Sequence, residues 1–548
     1  MRISDLRTLP AGSVITRGIC IVGGGPAGLT IATEFANTHH DVLVIESGSR
    51  AREDQFSTSL NEIESLGVPR VNPQRKVRNR VLGGTSHTWS GRCTPMDAID
   101  FEQRPWVPCS GWPLRQQELG PYLERAARHL GLIPMNYDQA ALLKELALVD
   151  RFNGSDGSDL QTVFWQFSRR SAINDDYVRF GPRFARLSAK NISVLTNATV
   201  TQITTNQDGN HVSELEIRAP DGRISHIRAQ FIVLAAGGIE NARLLLASNR
   251  QDPHGVGNQR GWVGRCLMDH PRAVLGTFEP GAIPKVQTEF GMYRHPSGAK
   301  VMRGVTLTPE VQRRERLLNC VAWTTQHVAD DDAWRALRSI GRANGSDRKA
   351  LARVVLSHSD QIVKGLWNKF VRGRPLPRRL EQLNLDALIE QVPDRDSRVL
   401  LSNTRRDALG TPIAAIDWHI GETERMTAIR LGHTVNDALA SAGLPAATLA
   451  PWVRDKRPED AVFFDPAHPS GTTRMAENEF EGVVDRDGKV FGIDNLFVAG
   501  SSVFSTSGHA NPTLMLVALS LRLADKLRLI EKRAVPNVAE PKAAVVSA

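Results

Sequence analysis

The feature that most limits the fold of this chain is a strand, a glycine-rich turn and a helix within residues 18–46. The small and branched apolar side chains of Ile19–Val22 are typical of a buried parallel strand. The turn that follows has G-x-G-x-x-G spacing: Gly23 permits a tight bend, Gly25 leaves bare backbone at a helix start, and Gly28 allows close packing. This pattern predicts an α/β unit that holds the diphosphate of a dinucleotide.

The residues after the first two glycines support the same interpretation. Pro26 and Ala27 lie in the turn before a predicted helix at residues 29–37, and a second apolar strand ends in Glu46 and Ser47. A carboxylate at this position can accept hydrogen bonds from ribose hydroxyls. Glycine-rich turns also open many α/β units that bind nothing, but here the strand, spacing, helix and terminal acid all agree.

Length and charge exclude some classes of protein. A chain of 548 residues has room for three or four units of about 150 residues, or for one large α/β enzyme with an elaborated lobe. The formal charge of +9 arises from 68 basic and 59 acidic residues that are mostly interleaved. Because no recognition helix, zinc finger or stacking platform accompanies that charge, we expect no nucleic-acid partner.

The cysteines and the apolar segments indicate a cellular setting. The five cysteines are widely spaced and form no C-x-x-C pair, which favours reduced thiols and argues against a thiolate metal site. The first residues contain no apolar core of signal-peptide length, and no segment reaches about 18 uninterrupted apolar residues. We therefore expect a cytoplasmic protein with no transmembrane segment and no bound metal.

A loop at residues 80–92 packs small residues around one histidine and one tryptophan. The run Gly83, Gly84, Thr85 and Ser86 suits backbone that passes close to a flat ring. A surface turn with an incidental tryptophan is the alternative.

Two segments near the C-terminus place polar side chains at irregular turns. His468 lies in a loop bounded by proline and glycine, and a buried strand downstream ends at Gly500 and Ser501. The last helix is preceded by Asn511, a good N-cap residue, and by Pro512, a preferred first helical residue. The free N–H groups at that helix start would favour negative charge close by.

With the glycine fingerprint and these C-terminal motifs, the loop sequence Val81–Phe101 resembles the glucose-methanol-choline (GMC) oxidoreductases, which oxidise alcohols with FAD. The resemblance implies an α/β fold in which a Rossmann-like FAD-binding domain is interleaved with an α+β, sheet-based substrate domain. It implies that FAD contacts Gly23, Gly25, Pro26, Ala27, Gly28, Glu46, Ser47, Gly83, Gly84, Thr85, Ser86, Val200, Ala236, Gly500, Ser501, Asn511, Pro512 and Thr513.

The same resemblance implies the chemistry. In GMC enzymes a histidine of an H-P-x-G-T loop and a histidine or asparagine before the last helix face the reactive nitrogen of the flavin. These positions match His468 and Asn511, a pair more similar to the sugar-oxidising, pyranose oxidase-like branch. We therefore expect neutral His468 to accept the proton of a sugar, glycoside or polyol hydroxyl, and Asn511 to hydrogen-bond its oxygen. His509 is a rival for either role.

Some relatives carry a covalent bond between the flavin and a histidine of the flavin loop. Here Thr88 occupies that place and His87 lies one residue early, so we expect FAD to bind non-covalently.

The resemblance and the pattern of predicted elements also give domain boundaries. We expect an FAD-binding domain built from residues 1–110, 186–272 and 456–533, and a substrate domain at residues 273–455. Residues 111–185 form a helical and aromatic insertion that contributes to the substrate side. Residues 534–548 have a biased composition and are predicted to be a disordered tail.

A basic cluster surrounds Trp367 and Phe370 in the predicted substrate domain. It is either a solvated face or a surface, from Trp367 to Arg379, that contacts a membrane or an acidic partner. Its members are Lys364, Lys369, Arg372, Arg374, Arg378 and Arg379.

Other functions stay open at this point. A lyase on the same scaffold would keep FAD without net oxidation, and a nicotinamide dehydrogenase would share the first motif, although Glu46 and the C-terminal motifs argue against it. A non-catalytic binding protein is disfavoured because the site retains its polar residues. The sequence does not distinguish oxygen, a quinone or a protein as electron acceptor, nor does it give the oligomeric state.

Overall fold

The structure is a computed structural model that describes residues 1–133, 139–152, 158–170, 176–341, 344–370 and 378–534. The predicted tail at residues 534–548 lies outside this range except for its first residue. The strands are β1 (Arg2–Asp5), β2 (Val14–Val22), β3 (Val42–Ile45), β4 (Ile63–Ser65), β5 (Arg92–Cys93), β6 (Leu160–Phe167), β7 (Ile192–Thr196), β8 (Thr199–Thr205), β9 (Val212–Arg218), β10 (Ile224–Leu234), β11 (Arg272–Phe278), β12 (Met292–Arg294), β13 (Lys300–Leu307), β14 (Cys320–Val328), β15 (Leu380–Ile389), β16 (Arg398–Arg406), β17 (Pro412–Asp417), β18 (Thr448–Leu449) and β19 (Leu496–Val498).

The helices alternate with these strands along most of the chain. They are α1 (Pro26–Glu34), α2 (Gln55–Ser59), α3 (Gln74–Val77), α4 (Ala98–Phe101), α5 (Gln116–Leu130), α6 (Gln139–Glu145), α7 (Phe180–Phe184), α8 (Glu240–Ala247), α9 (Ile283–Phe290), α10 (Pro309–Glu315), α11 (Ala333–Ile340), α12 (Gly345–Ser357), α13 (Ser359–Phe370), α14 (Glu422–Ser441), α15 (Pro451–Arg454) and α16 (Thr513–Ala534). None of the described helices is both long enough and apolar enough to cross a bilayer.

The first sheet contains the glycine fingerprint. Its order is β1-β7-β3-β2-β10-β9-β8, and β19 pairs in parallel with β10. Strands β1, β7, β3, β2, β10 and β19 are parallel, so the carboxyl ends of β2, β3, β10 and β19 meet at one edge. Helices α1 and α16 pack on each other beside this sheet, and α5 packs on α16. The carboxyl edge of such a sheet is where ligands bind in open α/β folds.

The second sheet is antiparallel and forms a separate apolar core. Its order is β18-β11-β15-β14-β13-β6-β5, and β12 pairs with β13. Helices α9, α14 and α15 contribute side chains to this core. A small third sheet, β16-β17-β4, also pairs residues that are far apart in sequence. The predicted α/β fold with a second, sheet-based unit is confirmed.

The first helix begins earlier than the sequence predicts. It runs from Pro26 to Glu34 rather than from Leu29, and Gly25 is its N-cap residue. Proline suits the first helical position because its φ is already helical and its missing N–H would have no partner there. The apolar run from Leu29 identified the buried face of the helix but not its start.

The basic cluster near Trp367 is partly neutralised by aspartates. Lys364 pairs with Asp360, and Arg379 pairs with Asp331. Arg372 and Arg374 lie outside the described residues, as do the side chains of Lys369 and Phe370. Trp367 is 57% exposed on α13. Contact of this surface with a membrane stays a prediction.

Candidate active site

A cavity of about 550 Å³ opens at the carboxyl edge of the first sheet. It is lined by residues from both ends of the chain, between Val22 and Leu516. The predicted site residues that line it are Gly23, Gly25, Pro26, Ala27, Glu46, Ser47, Gly84, Thr85, Ser86, Val200, Ala236, His468, Gly500, Ser501, Asn511, Pro512 and Thr513. The structure thus brings together nearly all of the predicted positions.

The glycines of the fingerprint have distinct surroundings. A Cβ on Gly23, whose φ is +114°, would lie 2.4 Å from the carbonyl oxygen of Ala235. A Cβ on Gly28 would lie 2.1 Å from the Gly23 carbonyl oxygen, so this glycine packs helix against strand and does not line the cavity. No atom lies within 4 Å of the Cβ position of Gly25. The bare backbone at the start of α1 therefore faces open space, as a bound diphosphate requires.

The carboxylate of Glu46 already accepts hydrogen bonds from the backbone around it. One of its carboxylate oxygens accepts a hydrogen bond from Gly24 N at 2.9 Å, and the other accepts one from Gly48 N at 2.8 Å. Burial raises the pKa of this carboxyl despite those two bonds. Oε1 also accepts from the Ser47 hydroxyl at 3.4 Å, but Oε2 keeps a second lone pair, so Glu46 fixes the glycine turn and can still accept a ribose hydroxyl.

The loop that carries Gly83 and Gly84 lies over the start of α1. A Cβ on Gly84, whose φ is +52°, would lie 2.9 Å from the Cα of Gly25. Gly83 lies behind the cavity, where a Cβ would meet Gly181 N at 2.6 Å. The Nε2 of His87 donates to the carbonyl of Leu82 at 3.0 Å and this ring does not line the cavity, whereas Thr88 does.

One group of cavity residues was not predicted from the sequence. Arg78, Arg80 and Arg243 surround Glu240 at 2.9 to 3.0 Å, and Arg243 also pairs with Asp407. Burial opposes ionisation of Glu240, but the three guanidinium groups hold its pKa well below the usual range. Three arginines and two acids leave one positive charge in excess, which favours an anionic ligand. No local pattern predicts this group, because its members come from the flavin loop and the segment before it, from α8 and from the turn after β16.

His468 is held by contact between its loop and the segment that precedes β11. Ser470 N donates to the Met268 carbonyl at 2.9 Å, and Met268 N donates back to Ser470 at 3.0 Å. This bridge brings the ring of His270 to that of His468, with their Nδ1 atoms 3.2 Å apart. The sequence analysis gave His270 no role.

The hydrogen bonds of these two rings define their tautomers. His270 Nε2 lies 3.2 Å from the carbonyl oxygen of Ser507, which can only accept, so this nitrogen carries the proton. In a neutral ring, His270 Nδ1 is then an acceptor, and His468 Nδ1 must donate to it. The remaining nitrogen of His468, Nε2, therefore keeps its lone pair at the cavity, where it accepts a long hydrogen bond from Asn511 Nδ2 at 3.4 Å.

Both rings are neutral. Burial, reinforced by the neighbouring His270, lowers the pKa of His468 to about 3. Burial also lowers the pKa of His270. Asp269 lies beneath them and accepts from the backbone N of His468 at 3.0 Å and of His270 at 2.8 Å.

A carboxylate oxygen of Asp269 and a ring nitrogen of each of the two histidines lie within 4.8 Å of one another. Such a set could in principle hold a metal ion. The guanidinium of Arg70 pairs with Asp269 and with Asp465 at this point, and both carboxylates are buried. Arg70 therefore already supplies the positive charge that the carboxylates need, and hydrogen bonding accounts for the histidines.

Asn511 points toward His468 rather than capping the last helix. Its Nδ2 lies 3.4 Å from His468 Nε2, and its buried Oδ1 has no hydrogen-bond partner among the described residues. Helix α16 begins at Thr513, one residue later than predicted, and Leu516 N donates to Pro512. The Asn511 carboxamide thus donates to the lone pair of His468 Nε2 and keeps an unused acceptor oxygen beside it.

His509 lies outside this arrangement. Its ring is buried, does not line the cavity, and places Nε2 3.1 Å from Asp97 Oδ2. Burial works against the charged ring, but the Asp97 carboxylate outweighs it and raises the pKa of His509. Because the Asp97 carboxylate favours the charged form of His509 and the ring lies away from the cavity, the geometry disfavours His509 as a rival of His468.

Comparison with known proteins identifies the family. A profile described as FAD dependent oxidoreductase matches residues 18–345, more than half of the chain. The chain belongs to this family. A second profile, described as GMC oxidoreductase, matches residues 393–520, so the resemblance inferred from the sequence is confirmed and the cofactor is FAD.

Individual relatives are distant in sequence. The fructose dehydrogenase large subunit of Gluconobacter japonicus is 27% identical over 62% of this chain and 54% of its own, so the match spans about half of that relative. The 2-methyl-1,2-propanediol dehydrogenase of Mycolicibacterium austroafricanum is 22% identical over 95% of this chain and 97% of its own. Pyridoxine 4-oxidase from Mesorbium loti shares the fold, with a TM-score of 0.58 and 17% identity over 94% of this chain and 99% of its own.

Proposed function

We propose that this flavoprotein oxidises a hydroxyl group of a sugar, glycoside or polyol to a carbonyl. The observation that carries the proposal is the pairing of His468 and Asn511 at the cavity: the Nε2 lone pair of His468 accepts only a long hydrogen bond from Asn511 Nδ2, and the Asn511 carboxamide oxygen is unused. The sugar and the diol in the names of two relatives support the same substrate class.

The chain has a place for the whole cofactor. The start of α1 at Gly25, the acid Glu46 and the loop at Gly84 would hold the dinucleotide, and the start of α16 would face the flavin. When bound, FAD supplies the acceptor for a hydride. We infer a non-covalent flavin, because His87 is turned toward the Leu82 carbonyl and Thr88 lines the cavity in its place.

His468 and Asn511 have complementary roles in this proposal. His468 Nε2 accepts the hydroxyl proton, while the Asn511 Nδ2 group donates to the hydroxyl oxygen and orients it. Because the second nitrogen of His468 is held in its N–H form by His270, only Nε2 is available as a base. The buried carboxylate of Asp269 favours the imidazolium that forms when the proton arrives.

The low pKa of His468 bears on the order of proton transfer and hydride transfer. With a pKa of about 3, this imidazole is always unprotonated near neutral pH but is a weak base. A weak base favours a concerted step, so we infer that the proton leaves the oxygen as the hydride leaves the carbon. We expect deuterium in solvent and deuterium on the carbinol carbon to slow the same step.

Anaerobic mixing of the holoenzyme with a panel of sugars and polyols tests the function. Bleaching of the oxidised flavin absorbance by an alcohol, with formation of one carbonyl per flavin, is the expected result. A flavin that stays oxidised while the substrate is cleaved would instead indicate the lyase alternative. Repeating the reaction with oxygen, a quinone and an artificial acceptor addresses the electron acceptor.

A further inference from the structure

Arg92 is a cation on the cavity wall that forms no ion pair with any of the described residues. It is the first residue of β5, at the edge of the second sheet, and it lines the same cavity as His468. Among the residues that the structure describes, none accepts a hydrogen bond from its guanidinium or lies within ion-pair distance, and its Nε is buried without an acceptor. Each such donor costs free energy until something accepts from it.

The surroundings of Arg92 are rich in unused donors. Its guanidinium carbon lies 5.6 Å from the ring centre of Trp323 and 6.0 Å from that of Trp165. The Nε1 groups of both buried tryptophans also have no acceptor in the described part of the chain. The rings can attract a cation weakly. They accept no hydrogen bond, however, so the Nε of Arg92 and the Nε1 groups of the two tryptophans are three donors without an acceptor among the described residues.

The carboxylate that acts electrostatically on Arg92, that of Asp386, is already hydrogen-bonded to other residues. Asp386 receives two hydrogen bonds from Arg272, each at 3.2 Å, and a third from Thr325. Two arginines therefore share one carboxylate, and one positive charge at this wall is uncompensated. Burial lowers the pKa of Arg92 to about 10, and the charge of Arg272 acts in the same direction.

We propose that Arg92 binds a carboxylate of the substrate, so that the preferred substrates are sugar acids, such as uronic or aldonic acids, rather than neutral sugars. This inference rests on the proposed function. A guanidinium pairs with a carboxylate through two parallel N–H bonds and so fixes its orientation. A phosphate monoester, with about two negative charges, would exceed the single unpaired charge of this wall.

Matched pairs of substrates provide the test. Anaerobic flavin reduction is followed with glucose and glucuronate, galactose and galacturonate, and glucose and gluconate. The wild-type enzyme should react with the acid of at least one pair about 10- to 100-fold faster per unit concentration than with its neutral partner, as a charged hydrogen bond provides. Arg92→Gln should remove this preference, and Arg92→Lys should retain part of it.

A binding measurement makes the result independent of turnover. Simple carboxylates such as acetate and propionate, added to the oxidised holoenzyme, should perturb the flavin absorbance and compete with the sugar acid. Arg92→Gln should weaken their binding about 10-fold or more. The matched control is Arg260→Gln, because Arg260 also lies over an aromatic ring, Phe480 at 4.3 Å, but is exposed and outside the cavity.

The outcomes separate this inference from the proposed function. Reduction by neutral sugars that equals or exceeds reduction by their acids overturns the role of Arg92 and leaves alcohol oxidation intact. An equal loss with both members of a pair in Arg92→Gln assigns the residue to structure or to flavin binding and also overturns it. If no alcohol of either kind reduces the flavin, the proposed function itself fails.

Discussion

Two buried histidines near the start of the last helix have opposite environments. His468 meets another imidazole, that of His270, whereas His509 meets the carboxylate of Asp97. Burial, reinforced by His270, lowers the pKa of His468 to about 3, whereas the Asp97 carboxylate outweighs burial and raises the pKa of His509. The same side chain is neutral at one position and favours its charged form at the other, so the partner of a buried histidine decides whether it can accept a proton.

The largest effect should come from removing the neutral histidine. His468→Ala removes the Nε2 lone pair that would accept the hydroxyl proton and should slow anaerobic flavin reduction by at least about 100-fold. Stopped-flow absorbance of the flavin at saturating substrate measures this rate. The matched variant His509→Gln should change it by no more than a few fold, and equal losses in both variants would remove the distinction between the two sites.

Replacing the partner of His468 should have an intermediate effect. His270→Phe removes the acceptor for His468 Nδ1–H, so the ring is free to adopt the tautomer that blocks Nε2. We expect flavin reduction to slow by about 10-fold or more. His270→Asn offers an amide oxygen and an N–H in a similar place, and recovery of much of the rate in this variant would identify orientation as the cause.

The pair formed by His509 and Asp97 should affect the stability of the fold rather than the rate of flavin reduction. Asp97→Asn leaves the buried imidazole of His509 without its carboxylate and should lower the free energy of unfolding by about 2 kcal/mol near pH 6. Urea unfolding followed by tryptophan fluorescence measures this change. Flavin reduction should stay within about twofold of the wild type, and a loss comparable to that of His468→Ala would place the pair in the chemistry.

The smallest effect should be a difference between His468 and His509 in how each makes the stability of the fold depend on pH. The pKa of His468 is lower in the folded protein, so its contribution to stability is lost as the pH falls below the ordinary histidine value of about 6.5. The pKa of His509 is higher in the folded protein, so its contribution is present below that value and is lost as the pH rises through the folded pKa.

Urea midpoints between about pH 5 and 8 provide the measurement. His468→Gln should reduce the loss of stability on the acid side, and His509→Gln should reduce it on the alkaline side. If the urea midpoint depended on pH in the same way in both variants, the result would contradict the opposite pKa shifts of the two histidines.

The sequence predicted the parts of the site that depend on local backbone. Glycines at Gly23, Gly25 and Gly28 have steric requirements that any α/β turn of this type shares, so their spacing was informative. The loop of His468 and the start of the last helix were equally recognisable, because turns and helix starts have local signals. The domain boundaries stay predictions.

The missed residues depend on contacts between distant segments. His270 meets His468 only because the segment before β11 pairs with the His468 loop, and no periodicity reports such a bridge. Arg78 and Arg80 meet Glu240 in the same way. Arg92 lay within the flavin loop that the sequence identified, but its missing partner became visible only when the second sheet was in place.

The central strand β10 pairs with β2 on one side and with β19 on the other. One wall of the cavity is therefore made from residues that are synthesised long after the glycine turn. A nascent chain can form that turn early, yet it lacks the wall that carries His468 and Asn511 until the later segment has emerged. We therefore expect stable binding of FAD only after that segment has been made.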